Sequence, residues 1–246
     1  MKRIAVELVP RSEEGLREEL KMLKEARLKV DRINIPDLLR CELRSWEGAA
    51  IAQEFYPAVP HIRAMDVDLS QPLAMGPYIK EHEIREVLVI EGDPPQDMNH
   101  NVYPTVTTDV IRKIREELPG VRVWAGIDQY RGSMQQELYN IRRKLQAGAV
   151  GFFTQPFFDM RFLEMYADLL EGHEIYWGVS PVLSNRSKSY WEIKDKAVFP
   201  KSFEPTMTWN IDFAKKVIDF IKTSKGGLYF MPITIDIAEL LPKVFD

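Results

Sequence analysis

The chain has 246 residues, 45% of them hydrophobic, and a formal net charge of −4, which suits one globular unit with a large core and no nucleic-acid partner. No apolar run approaches the ~18 residues of a membrane span, and the start turns polar too soon for a signal-peptide core. Cys41 is the sole cysteine, which excludes an intrachain disulfide, a zinc finger and a cysteine-ligated cluster, so we expect a cytoplasmic protein without a metal site.

Short apolar runs alternate with longer amphipathic segments from one end of the chain to the other. The predicted strands are Ile4–Val9, Val30–Ile35, Ala58–Ile62, Glu86–Glu91, Val121–Ala125, Val150–Thr154, Ile175–Val179 and Leu228–Met231. The predicted helices include one starting at Ser12 and those at Val106–Leu118, Ser133–Ala147, Phe162–Leu170 and Trp209–Lys222. This alternation predicts a parallel sheet, and eight repeats predict that residues 1–246 form a single α/β domain, a (β/α)8 TIM barrel.

One connection stands apart from the others. Segment 183–205 is longer than a usual βα loop and contains aromatic residues and lysines. Long ordered loops in a barrel commonly carry function. We interpret this segment as a lid or as a surface for a partner.

Polar residues near the ends of predicted strands are the first candidates for a site, because the βα loops of a barrel form its active face. Glu7 lies within VELVP, and facing the helices would bury an unpaired charge, so we expect it at the barrel mouth, where partial burial suits it to deliver a proton. A structural salt bridge is the competing interpretation. Asp93, in Gly-Asp-Pro-Pro, follows the fourth strand and fits either a functional role or simple turn chemistry.

Two further strand ends carry side chains that hydrogen-bond. His61 ends the third strand, where a lone histidine is more often a satisfied structural residue than a catalyst. Gln155 stands beside Pro156 at the end of the sixth strand, and its amide can both donate and accept hydrogen bonds to a ligand. Gln155 is the stronger candidate of the two.

A third candidate group lies on the helix before the sixth strand. Asn140, Arg143 and Lys144 are spaced by three and four residues, which places them along one helical face. Taken alone, such a face is usually solvated. Beside a cofactor, the two cations would hold a diphosphate.

The string GAVGFFTQPFFD at Gly148–Asp159 resembles the sixth strand of the methylenetetrahydrofolate reductase family. The Gly-Asp-Pro-Pro turn and the segment GVSPVLS at Gly178–Ser184 are similar to two other segments of that family. The resemblance implies FAD-dependent reduction of 5,10-methylenetetrahydrofolate to 5-methyltetrahydrofolate in one-carbon metabolism. It also implies a tetrahydrofolate-type substrate, with NADH or NADPH as the candidate electron donor.

The resemblance also implies roles for individual residues. Glu7 matches the family's catalytic glutamate, Asp93 its flavin- and folate-facing aspartate, and Gln155 its folate-reading glutamine. The cofactor-binding positions of the family fall on His61, Asp93, Asn140, Arg143 and Lys144.

Three departures from the family's pattern keep two alternatives open. Arg63 stands in place of a threonine, Glu91 in place of an arginine, and Gly126 where the family has a tyrosine that packs on the flavin. One alternative is a flavin-free reductase that takes hydride directly from a nicotinamide or deazaflavin cofactor. The other is a non-catalytic folate-binding subunit of a one-carbon complex. The assembly, either a homo-oligomer or a pairing with a partner oxidoreductase subunit, stays open.

Overall fold

A computed structural model of the protein describes residues 3–26, 29–95, 100–223, 225–232 and 237–245. Within these residues eight parallel strands close into a barrel in chain order, with β1 paired to β8. The strands are β1 (Arg3–Glu7), β2 (Arg32–Ile35), β3 (Ala58–Arg63), β4 (Glu86–Ile90), β5 (Arg122–Ile127), β6 (Gly151–Pro156), β7 (Ile175–Val179) and β8 (Gly227–Phe230). The helices are α1 (Glu13–Glu25), α2 (Ser45–Gln53), α3 (Gly76–Glu81), α4 (Thr107–Glu117), α5 (Met134–Ala147), α6 (Met160–Leu169), α7 (Asn185–Lys194), α8 (Met207–Phe220) and α9 (Ile237–Phe245).

The predicted barrel is confirmed, with the predicted strands close to their observed positions. Ser12 and Ser133 cap α1 and α5, each accepting a hydrogen bond from a backbone N–H of the first turn. Segment 183–205 contains a helix, α7, capped by Ser184, where the sequence had suggested an extended loop. The short helix α2 was also missed, because its sequence SWEGAAIAQ consists largely of small residues without an amphipathic stripe.

The barrel interior is filled by a layer of apolar and aromatic side chains at mid-height. Phe153 stacks on Tyr176 with ring centroids 4.5 Å apart and meets Tyr229 edge-on at 5.1 Å. The layer comprises Ala5, Val59, Leu88, Trp124, Phe153, Tyr176, Tyr229 and Met231. Because strand side chains alternate between faces, these residues fix which neighbouring positions also face the interior.

Below this layer, at the amino-terminal end of the barrel, charged side chains form a cluster that we call the ionic floor. It comprises Arg3, Arg32, Glu86, Arg122 and Glu174. Arg122 reaches both Glu86, at 2.9 Å, and Glu174, at 3.6 Å. The Arg32 guanidinium lies over the ring of Tyr176, 4.9 Å from its centroid, so aromatic faces stabilise the partly buried cations.

The second and larger core lies between the strands and the surrounding helices and contains the outward-facing apolar residues of every strand. The interior layer and the ionic floor fill the lower barrel, so the carboxyl-terminal mouth is the open end at which a ligand can be bound. None of the helices in the described ranges is long and apolar enough to cross a membrane.

Candidate functional site

A pocket of about 490 Å³ opens at the carboxyl-terminal mouth, above the ends of β4, β5 and β6. Its size falls in the usual range of small-molecule sites. Five of the predicted site residues line it: Asp93, Asn140, Arg143, Lys144 and Gln155. The pocket therefore brings together side chains from three different βα units, as expected for the active face of a barrel.

Gln155 lines the pocket at the end of β6, where the strand bulges. Phe153 pairs with Tyr176 and Pro156 pairs with Gly178, so β6 has one residue more than β7 in this interval. The hydroxyl of Thr154 bridges the irregularity, accepting from the Gly178 N–H at 2.8 Å and donating to the Gln155 carbonyl at 2.8 Å. Gln155 lies two residues after Phe153 of the interior layer, so strand alternation also places it on the interior side.

A second side chain supports the backbone of this bulge. Gln129, which follows β5 and is buried, donates from Nε2 to the Gln155 carbonyl oxygen at 2.8 Å. The backbone at position 155 is thus held from two directions, and its side-chain amide is left to contact a ligand.

Asn140, Arg143 and Lys144 occupy one face of α5, as their spacing predicts, and this face borders the pocket. Lys144 is the most enclosed of them and donates to the Gly126 carbonyl at 2.7 Å, with the Glu137 carboxylate 3.3 Å away. The Arg143 side chain is exposed and lies over the ring of Tyr139, 5.8 Å from its centroid. The pocket therefore has one anchored cation and one exposed cation on the same wall.

Asp93 stands at the rim of the pocket and is about half exposed. Arg131, after β5, approaches one carboxylate oxygen at 3.2 Å, and Lys194 at the end of α7 lies 3.9 Å from the other. Arg131 also pairs with Glu91 and Asp128, at 3.2 and 3.0 Å. These contacts connect the loops after β4, β5 and β7 around the opening.

The segment that the sequence suggested as a lid contributes to this rim. Trp191 of α7 is buried against Phe158, which follows β6, and Phe158 also stacks on Phe199 at 4.3 Å. Asp195, directly after α7, lines the pocket, and burial raises the pKa of its carboxyl. Segment 183–205 is therefore seated on the barrel top beside the opening.

Arg63 lies at the floor of the pocket and is buried, with 7% of its surface exposed. Its guanidinium donates to the Asp93 carbonyl oxygen at 2.6 Å and to Asp66 at 3.0 Å. Asp66 in turn contacts Arg44, which makes a two-pronged ion pair with the buried Asp37. This departure from the family's threonine is therefore part of a fixed network beneath the mouth.

Glu7 is the last residue of β1 and faces the barrel interior, in phase with Ala5 of the interior layer. Its carboxylate accepts a short hydrogen bond from the hydroxyl of Tyr229 on β8. Burial raises the pKa of Glu7 to about 7, and the Tyr229 hydrogen bond offsets part of that rise. A carboxylic acid that titrates near neutrality can donate a proton at physiological pH.

His61 is buried on the interior side of β3 and lies outside the lining of the pocket. Its Nε2 is 3.2 Å from the side-chain amide nitrogen of Asn34 on β2, and the Tyr229 ring meets it edge-on at 6.5 Å. Burial lowers its pKa to about 3, so the ring is neutral. Glu7 and His61 thus lie on the β1–β3 side of the mouth, and the other predicted residues lie on the β4–β6 side.

Several residues at this mouth were missed by the sequence analysis, chiefly Tyr229, Arg131 and Gln129. Tyr229 lies 222 positions from its partner Glu7, and no local pattern connects the two. The strand GLYFM does carry a signal in its alternation, which places Tyr229 on the same face as Met231. Among the described residues no cluster of His, Cys, Asp and Glu is arranged to hold a metal ion.

The donor set fits a cofactor that carries a diphosphate. The exposed Arg143 and the partly buried Lys144 present two positive charges to the pocket from one helix, and such cations bind phosphate through charge-assisted hydrogen bonds. Beside Lys144, Gly126 presents no side chain to the pocket, and a Cβ there would lie 3.2 Å from Ile90. The pocket thus combines two cations on α5 with a surface beside Gly126 formed by Ile90 and Arg63.

The closed barrel and its polar carboxyl-terminal mouth define a protein of the TIM-barrel class with a ligand site in the usual place. Solved structures share this fold at low sequence identity. A 2,3-dimethylmalate lyase matches with a TM-score of 0.57 and 12% identity, over 99% of this chain and 76% of that one. An oxaloacetate acetylhydrolase matches with a TM-score of 0.56 and 8% identity, over 97% and 76%.

The sequence profile of methylenetetrahydrofolate reductase matches residues 47–204, more than half of the chain, and the chain belongs to that family. A 5,10-methylenetetrahydrofolate reductase of Buchnera aphidicola is 25% identical over 128 residues, which are 50% of this chain and 44% of the relative. The enzyme of the same name from Escherichia coli K12 is 25% identical over 130 residues, 51% and 44% of the two chains. The alignments thus span less than half the length of these relatives.

Proposed function

We propose that this protein is an oxidoreductase that reduces 5,10-methylenetetrahydrofolate to 5-methyltetrahydrofolate, working in the cytoplasm with FAD as its cofactor. The observation that carries the proposal is that, in a chain of this family, the predicted site residues meet at one barrel mouth. Glu7 lies on one side of that mouth, and Gln155 and the α5 cations lie on the other. A proton donor, a pterin-binding amide and a diphosphate-binding wall are the groups that this reaction needs.

The reaction requires the five-membered ring of the substrate to open to an iminium cation, with a proton delivered to N10. Glu7 is the proposed donor, because its buried carboxyl holds a proton near neutral pH. Gln155 would hydrogen-bond the pterin and orient it, and the supported backbone of β6 gives that orientation its rigidity. Asp93 would lie near the cationic carbon and stabilise it electrostatically.

The cofactor would be held by residues of α5. Arg143 and Lys144 would bind the diphosphate, and Asn140 would hydrogen-bond beside them. When bound, FAD supplies the hydride that the iminium carbon accepts. The protein's own share is to orient the substrate, to exclude water and to deliver the proton.

A second candidate is a reductase that uses a nicotinamide or deazaflavin cofactor without flavin. It is favoured by the residues that stand where the family's flavin-contacting side chains would be. There the buried Arg63 is fixed to the Asp93 carbonyl, and Gly126 offers no ring to stack on a flavin. Such a cofactor would also use the α5 cations when it carries a phosphate. The two candidates therefore share Glu7, Gln155 and Arg143 and differ in what occupies the pocket above Ile90.

The deciding experiment is an absorbance spectrum of the purified protein, followed by turnover of 5,10-methylenetetrahydrofolate in the presence of FAD, NADH and NADPH. Bound flavin that is bleached and then reoxidised by the folate supports the flavoenzyme. A colourless protein that still reduces the folate supports the flavin-free enzyme. Tight folate binding with no turnover under any donor would overturn both and leave a folate-binding subunit. Glu7→Gln is the matched inactive control.

A further inference from the structure

The hydrogen bond from Tyr229 to Glu7 is a polar contact in the barrel interior that the proposed roles do not use. Tyr229 comes from β8 and Glu7 from β1, strands that pair directly where the barrel closes. Both side chains point inward, since Tyr229 belongs to the same interior layer as Ala5. The phenol rises from the aromatic layer to meet the carboxylate at the mouth.

The ring of Tyr229 is held on several sides. Phe153 contacts it edge-on at 5.1 Å, and His61 approaches it edge-on at 6.5 Å. Only 3% of the residue is exposed. A ring enclosed in this way cannot turn its hydroxyl elsewhere without repacking the barrel interior, so the phenol is a fixed donor.

The other titratable groups on the flanking strands do not compete for this role. Among the described residues these are Arg32 on β2, which joins the ionic floor, His61 on β3, which is neutral, Arg63 on β3, which pairs with Asp66, and Asp37 after β2, which pairs with Arg44. The neighbour of Glu7 on β2 is Asn34, an uncharged residue. The direct partner of Glu7 is therefore the neutral phenol.

We propose that Tyr229 is a positioning residue that fixes the orientation of the Glu7 carboxyl and sets the pH range over which Glu7 donates its proton. The proposal rests on the role assigned to Glu7 above. Without the hydroxyl, the carboxylate loses the donor that stabilises its charged form, and Glu7 gives up its proton less readily. The same loss frees the carboxyl to rotate, which lowers the fraction of molecules poised to donate.

The test is Tyr229→Phe, with Tyr176→Phe as the matched control. Tyr176 lies in the same aromatic layer, stacks on the same Phe153, and its buried hydroxyl has no hydrogen-bond partner among the described residues. Each of the two substitutions removes one buried hydroxyl, but only Tyr229→Phe removes a hydrogen bond to Glu7. A purely structural effect of hydroxyl loss would be common to both.

The primary readout is the infrared titration of the Glu7 carboxyl in the ligand-free protein, with its band identified by its loss in Glu7→Gln. We expect the midpoint of Tyr229→Phe to lie about one pH unit above that of the wild type, and that of Tyr176→Phe to be unchanged. An unchanged midpoint in Tyr229→Phe, or equal shifts in both variants, would overturn the proposal. The titration needs no substrate, so its result stands apart from any failure of the proposed reaction.

Turnover supplies the second readout. The alkaline limb of kcat should move upward by the same interval in Tyr229→Phe, with the KM for folate retained. If Tyr229→Phe does not fold, the near-UV tyrosine absorbance of the wild type should change as Glu7 ionises, and that of Glu7→Gln should not. The absence of this difference between the two proteins would also overturn the proposal.

Discussion

Gly178 and Gln155 come so close that neither backbone could hold its place if position 178 had a side chain. A Cβ on Gly178 would lie 2.6 Å from the Gln155 carbonyl oxygen and 2.7 Å from that of Thr154. The glycine on β7 thus gives the bulge on β6 the space it needs. Access of Gln155 to the pocket depends on a residue in the neighbouring strand that does not itself line the pocket.

Replacing Gly178 by alanine should therefore displace the bulge. We expect Gly178→Ala to destabilise the fold by about 1–3 kcal/mol, the usual range for overpacking against atoms that cannot move, and to weaken folate binding. Urea unfolding and folate titration measure the two effects. Gly132→Ala is the matched control, because a Cβ at Gly132 meets nothing within 4 Å. Equal stability losses in the two variants would contradict the steric account.

The α5 wall makes a second prediction. Arg143→Ala should weaken FAD binding by about 10- to 100-fold, the loss expected for one charge-assisted hydrogen bond. Arg142→Ala is the control, because Arg142 is its exposed neighbour and does not line the pocket. Isothermal titration of each variant with FAD gives the comparison. Parallel losses in both variants would point to general surface charge in place of a diphosphate site.

Glu7 links the site to stability. Its pKa is about 7 in the fold against an ordinary value of 4.5, so the folded state holds its proton more tightly than the unfolded chain. The stability this gives is fully present below pH 4.5 and is lost as the pH rises to 7. Glu7→Gln, which cannot ionise, should have a free energy of unfolding at pH 8 that is higher than that of the wild type by about 3 kcal/mol.

Thermal unfolding at pH 4 and pH 8 checks this prediction. The two proteins should unfold at similar temperatures at pH 4, and the variant at a higher temperature at pH 8. Glu18→Gln, at an exposed position of α1, controls for the removal of one negative charge from the chain. A gain from Glu7→Gln that is the same at both pH values would contradict the burial of an ionisable group.

Gln155→Ala is expected to act on substrate binding. Since the bulge backbone is held through the Gln155 carbonyl and the Thr154 hydroxyl, loss of the side-chain amide should leave the fold intact and raise the KM for folate. Steady-state kinetics with the folate as the varied substrate gives this value. An unchanged KM alongside a reduced kcat would assign Gln155 to the chemical step instead.

The fold could be predicted from the sequence because its signals are local. Each strand is an apolar run of strand length. Ser12 and Ser133 predict the starts of the helices that they cap. Helical spacing predicted that Asn140, Arg143 and Lys144 share one face of α5, and that face borders the pocket. By contrast, α7 carries Ser184 as a cap but lacks an amphipathic stripe, and its presence depends on Trp191 packing against Phe158.

The parts of the site that were missed depend on contacts between distant segments. The register shift that exposes Gln155 requires Gly178 on another strand, and the partner of Glu7 lies at the far end of the chain. Arg131 gains its importance only because the pairing of β4 with β5 brings Glu91 and Asp93 beside it. Contacts of this kind depend on three-dimensional packing and produce no periodic pattern in a single sequence.

The ionic floor affects the order in which ligands bind and are released. Arg122 pairs with Glu86 and Glu174 across the amino-terminal end, and the aromatic layer lies above it. A ligand therefore cannot pass along the barrel axis. The mouth is at once the entrance and the exit. A ligand that settles deepest must arrive first and depart last, and an excess of the later arrival should slow turnover by trapping the earlier one beneath it.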